Sequence, residues 1–177
     1  MKKLIILSDI WGKRKSDWIN YYVTILENHF EVVFYDCCEL AKIDLSEYFE
    51  DSIHQQFTNG GVKIAVKALL DKEKKIVNVL GFSIGGFIAW KAILDGLNVE
   101  SLTAISSTRL RYEDKRPDCV INLFYAENDK YKPIDNWFRE LNIEINIYKE
   151  EEHEFYSNKK TAIDVCKKII EQTKPNR

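Results

Sequence analysis

Two rhythms of apolar and polar positions alternate along this chain. Six short, nearly unbroken apolar runs predict strands: "KLIILS" (3–8), "EVVFYD" (31–36), "KIVNVLG" (75–81), "SLTAIS" (101–106), "CVINLFYA" (119–126) and "EINIYKE" (144–150). Between them apolar residues recur three and four apart, which predicts helices. Ser16 and Asp17 open the first, where Trp18, Tyr21, Tyr22, Ile25 and Leu26 share a face. A short helix is expected over "LSEYFEDSIHQQF", broken at Asn59-Gly60-Gly61, and a longer one over 62–73. "IGGFIAWKAILDG", "IDNWFREL" and the amphipathic "KKTAIDVCKKIIEQT" supply the remaining helices.

Strand, helix, strand, helix throughout implies a parallel sheet covered by helices on both faces, a three-layer αβα sandwich. Doubly covered strands should be apolar on both sides, and most of these runs are. No repeat, linker or low-complexity segment interrupts the pattern, so residues 1–177 are expected to form a single α/β domain.

Composition narrows the function classes. A formal charge of −2 offers no basic excess for nucleic acid, and no apolar run approaches the length of a membrane span. Cys37, Cys38, Cys119 and Cys166 lack CxxC or metal-site spacing and read as reduced thiols, Cys119 and Cys166 within the core. The opening "MKKLIILSDIW" has too short an apolar stretch for a secretory leader. A cytoplasmic protein without metal or organic cofactor is the expectation.

Candidate chemistry gathers at "NVLGFSIGGFIAW" (78–90). The chain has seven glycines, and three of them fall within six positions around Ser83. "GFSIG" (81–85) matches G-x-S-x-G between a predicted strand and a predicted helix, the context in which a sharp turn displays a nucleophilic serine. A hydroxyl needs a base, and the base needs an orienting acid. Of three histidines, His29 and His54 precede the serine on helical segments. Only His153 lies downstream, after the sixth strand. Glu127 and Asp129 both follow the fifth strand, and Asp129 is preferred because it falls in the loop beyond the strand tip. Ser83, Asp129 and His153 would then stand at carboxyl ends of strands, where ligands bind in open α/β sheets. Oxyanion donors are expected from the backbone N–H of Ile84 and from that of Ile10 or Trp11 in the loop after the first strand. Trp11 is a candidate pocket wall or a loop anchor.

These pieces resemble the α/β-hydrolase superfamily over nearly the whole chain. "GFSIGG" is similar to its nucleophile elbow, "AENDKYKP" to its acid loop and "HEF" to its histidine loop. Within the superfamily, "SDIWG" and "HEF" resemble dienelactone hydrolase-like proteins, with Ser8 in place of their loop histidine and Ser83 where many carry cysteine. Small serine esterases match Ser83 better. The resemblance implies a minimal fold without the first two superfamily strands, leaving six in order 2-1-3-4-5-6. It also implies an unlidded site, since only "STRLRYEDKRPD" stands where larger relatives insert a cap.

The function expected is a serine hydrolase acting on a small-molecule carboxylic ester or thioester through an acyl-enzyme. The alternative is a non-catalytic interaction protein that retains the fold. Lys13, Arg14, Lys15, Arg109, Arg111, Lys130 and Lys132 are expected near the catalytic edge, and Arg109 or Arg111 could bind an anionic substrate. Oligomeric state leaves no signature in the sequence.

Overall fold

The computed structural model describes residues 1–173, so the domain expected over 1–177 reaches four residues beyond them. Six strands, β1 (Lys2–Leu7), β2 (Phe30–Tyr35), β3 (Val77–Phe82), β4 (Val99–Ile105), β5 (Val120–Ala126) and β6 (Ile145–Tyr148), form one sheet in order β2-β1-β3-β4-β5-β6. Every pairing is parallel. This is the expected topology.

Side-chain alternation explains why the strands read as continuous apolar runs. Ile5, Leu7, Val77 and Val79 point to one face, into a core shared with α2 (Cys37–Ala41), α4 (Val62–Lys72), α5 (Ile84–Leu94) and α6 (Asp135–Glu140). Leu4, Ile6, Leu80 and Phe82 point to the other, against α1 (Ile19–Leu26) and α7 (Lys159–Gln172). β3 lies in the middle of the sheet and all six of its residues are buried.

Two local features depart from the sequence reading. α2 was not anticipated. It spans five residues and forms because Asp36 caps it, accepting from the N–H groups of Cys38 (2.7 Å) and Glu39 (3.3 Å). The break at Asn59-Gly60 is a kink rather than a loop: α3 (Glu50–Gln56) runs on through a wider turn (Phe57–Gly61) into α4, with only Asn59 and Gly60 off helical angles. Gly60 sits at φ 121°, which explains the glycine.

Cys119 is half-buried at the start of β5, not in the core as expected, whereas Cys166 is fully buried. None of the four cysteines is in a disulfide. No described helix is long and apolar enough to cross a membrane. No group of three potential metal ligands converges among the described residues.

Candidate active site

Parallel strands put their carboxyl ends on one edge of the sheet, and the ladder continues one residue past several of them. Ser83 N–H donates to the Ile105 carbonyl (2.8 Å), Ser106 N–H to Phe124 (2.9 Å) and Glu127 N–H to Tyr148 (2.8 Å). Beyond these last bonds the chain turns away, and the candidate residues stand at the turns.

At the first turn Ser83 takes φ 47° and ψ −112°, a conformation that L residues rarely adopt. The neighbouring glycines allow it. A Cβ on Gly81 would lie 2.5 Å from the Cα and N of Gly86, so strand and helix could not meet this closely with any side chain there. A Cβ on Gly85 would strike the carbonyl of Ser8, so this glycine lets the loop after β1 pack onto the start of α5.

Ser83 Oγ lies 3.1 Å from His153 Nε2, and His153 Nδ1 lies 2.7 Å from Asp129 Oδ2. A carboxylate only accepts, so Nδ1 carries the proton and Nε2 is left to accept from the serine hydroxyl. Asp129 is buried, and its other oxygen accepts from the Tyr131 N–H (3.1 Å), which aims the carboxylate at the imidazole. Glu127, the other acid weighed from the sequence, is exposed and accepts instead from the Glu150 N–H (3.0 Å). Ser83, Asp129 and His153 are therefore brought together across three loops.

Of the two N–H groups weighed as candidate oxyanion donors after β1, only one is free among the described residues. Ile84 opens α5, so its N–H has no helical acceptor. From the loop after β1, the Trp11 N–H is already engaged by Asp9 Oδ1 (2.9 Å), which removes Trp11 as a donor in this state. The Ile10 N–H makes no hydrogen bond among the described residues and is the donor left. Trp11 is placed to fit either role weighed for it. It lines the cavity, and it is held by Tyr48, whose hydroxyl donates to its carbonyl (2.6 Å), and by an indole contact with Glu154 (3.4 Å).

Several residues went unread in the sequence. Ser106 Oγ donates to the His153 carbonyl (2.6 Å) and Ser107 Oγ to the Ser83 carbonyl (2.9 Å), so the turn after β4 ties base and nucleophile together. The only signal was a polar pair ending an apolar run. Asp9 is buried beneath the site, between the Trp11 N–H and the Tyr156 hydroxyl (3.1 Å). Burial pushes its carboxyl up to about 6 from the ordinary 3.8, against the lowering effect of those two hydrogen bonds.

The cavity above Ser83 measures about 750 Å³ and is partly open to solvent. One wall comes from the turn after β4 (Thr108–Tyr112) and the acid loop. The other comes from Glu50, Asp51 and His54 of α3, a helix that sequence did not connect with the site.

In comparisons with known proteins, no family model and no curated protein matches the sequence. The fold, by contrast, matches many solved structures. A candidate hydrolase of the alpha/beta superfamily from Xanthomonas campestris pv. campestris superposes with a TM-score of 0.70 at 16% identity, over 97% of this chain and 99% of that one. Est1E from Butyrivibrio proteoclasticus, solved with ferulic acid bound, gives 0.70 at 10% identity, over 97% and 89%. Alpha/beta hydrolase domain-containing protein 10 from mouse gives 0.68 at 10% identity, over 96% and 88%. The chain has the α/β-hydrolase fold in a minimal, six-stranded form.

Proposed function

We propose that this protein is a serine hydrolase that cleaves small carboxylic esters or thioesters through an acyl-enzyme. The observation that carries the reading is the hydrogen-bonded chain from Ser83 Oγ through His153 to Asp129, built on a serine held at φ 47°. Neighbours of the same fold that are hydrolases and carboxylesterases support it.

In this mechanism His153 Nε2 takes the proton from Ser83 Oγ as the oxygen attacks the carbonyl carbon. The N–H groups of Ile84 and Ile10 receive the developing oxyanion, each such donor being typically worth on the order of 10²–10³ in turnover. Asp129 holds the imidazole in the required tautomer and stabilises the imidazolium. His153 then protonates the departing alcohol or thiol. In the second half it activates a water that attacks the acyl-enzyme and returns the proton to Ser83.

A fluorophosphonate probe tests this directly, because it labels only an activated serine. Labelling of the wild-type protein that disappears in both Ser83→Ala and His153→Ala is the expected result. A folded wild-type protein that stays unlabelled would overturn the hydrolase reading in favour of a non-catalytic interaction protein.

A further inference from the structure

The cavity holds an arginine with nothing to bind. Arg109 lies in the turn after β4, two residues beyond Ser107, whose hydroxyl is fastened to the Ser83 carbonyl. Its guanidinium carbon sits 5.4 Å from the Phe87 ring centroid and 5.5 Å from that of Tyr112. Rings that hold a planar cation this way leave its N–H edge free to meet a planar anion. Yet among the described residues no carboxylate lies within ion-pair distance of Arg109, and no group accepts a hydrogen bond from it. Its Nε is buried and without a partner, the one such side-chain atom among those described. The Nε is closed to solvent, so a ligand in the cavity would be met by the terminal NH2 groups of this half-buried side chain, which likewise have no acceptor among the described residues.

Neighbouring cations show what an occupied one looks like. Arg111 spends its guanidinium on the carbonyls of Thr108 (2.8 Å) and Tyr131 (3.4 Å) and on the Tyr112 hydroxyl (2.7 Å), holding the two loops of this wall together. Arg109 has no such task. It lines the same cavity as Ser83, Ile84 and His153, while Glu50, Asp51, Glu152 and Glu154 line it elsewhere without reaching Arg109. Arg111 and Lys130 line the cavity as well, with Lys130 Nζ over the Tyr131 ring (4.9 Å), so a substrate anion is drawn to this wall of the cavity and repelled from the acidic ones.

We propose that Arg109 is the specificity residue of this site, and that the substrates are esters bearing a carboxylate that the Arg109 guanidinium binds while Ser83 attacks the ester carbonyl. The proposal rests on the hydrolase reading above but concerns substrate class, and it can fail separately. The carboxylate can belong to the acyl half, as in a monoester of a dicarboxylic acid, or to the leaving half. The test distinguishes the two.

For the acyl half, kcat/KM is compared for the para-nitrophenyl monoester of glutarate and for para-nitrophenyl valerate, its neutral counterpart of equal length. For the leaving half the pair is para-acetoxybenzoate and phenyl acetate. Each ratio is measured in wild type, Arg109→Gln, Arg109→Lys and, as a control on the same segment away from the cavity, Arg116→Gln. In one of the two pairs, Arg109→Gln is expected to lower the anionic-to-neutral ratio on the order of tenfold to a hundredfold, the range of a charged hydrogen-bonded contact, mainly through KM. Arg109→Lys should retain part of the ratio and Arg116→Gln all of it. A ratio unchanged by Arg109→Gln in both pairs overturns the proposal, because a merely packing arginine would not sense substrate charge.

Binding separates this from failure of the hydrolase reading. Monomethyl glutarate and benzoate are titrated by chemical shift into Ser83→Ala protein, with and without Arg109→Gln. Saturable binding of either anion that Arg109→Gln abolishes supports the anchor even in a protein that fluorophosphonate fails to label. Absence of binding for both, together with unchanged ratios, rejects it.

Discussion

Ser106 stands at φ 52° with its side chain buried, a left-handed conformation that costs an L residue roughly 1–2 kcal/mol. Three hydrogen bonds hold it there: its carbonyl accepts from the Thr108 N–H, its N–H donates to Phe124, and its hydroxyl donates to the His153 carbonyl. The hydroxyl bond fastens the loop of the candidate base, which makes Ser106 a candidate positioning residue. Ser106→Ala is expected to lower kcat about tenfold or more with KM little changed, since small misplacements of a base are amplified in turnover. Steady-state kinetics on an ester that the wild type hydrolyses checks the split, and a loss confined to KM would argue against positioning. Asp129 and His153 were legible because few residues of the right type follow Ser83 in the right order. Ser106 was not, because a serine ending a strand looks the same whether or not another loop folds over it.

The strands and longer helices were legible from periodicity, and none of their ends was missed by more than three residues. α2 escaped because one capping carboxylate, not a pattern, sustains its five residues. Glu73 follows the last residue of α4, a carboxylate placed where the helix dipole disfavours it. The sheet compensates. Lys3 of β1 reaches both Glu73 oxygens (2.7 and 2.8 Å), and the Tyr35 hydroxyl of β2 donates to one (2.6 Å). Glu73 is 3% exposed and Lys3 28%, so the two partners are not equivalent. Lys3→Met leaves a buried carboxylate with one neutral donor and should cost about 3 kcal/mol. Glu73→Gln leaves a lysine that can turn to water and should cost less. Urea denaturation of both variants decides the order, and an equal or reversed cost would mean the pair is effectively solvated.

Asp9 couples the region under the site to the stability of the protein as a whole. Its folded carboxyl titrates at about 6 against an ordinary 3.8, so between these values the folded state binds the extra proton. The contribution is therefore fully present below about pH 4 and is lost as pH rises through 6. A shift of about two units corresponds to roughly 3 kcal/mol. Asp9→Asn keeps an acceptor for the Trp11 N–H and carries no charge. Relative to wild type it should gain stability between about pH 4.5 and pH 7.5, by up to that amount. Denaturation at the two pH values measures it, and a pH-independent difference would show Asp9 to be solvated.

Order along the chain was enough for the alternation of strands and helices, the glycine-flanked serine and the succession of serine, acid and histidine. These depend on neighbours in sequence, on which residues fit a turn, and on how few histidines exist. It was not enough for which N–H after β1 stays free, for the serine pair that ties His153 to Ser83, for α3 as a cavity wall, or for the solitude of Arg109. Each of those depends on groups distant in sequence arriving, or failing to arrive, within about 3 Å of each other. Only the packing of helices on both faces of the sheet sets such distances.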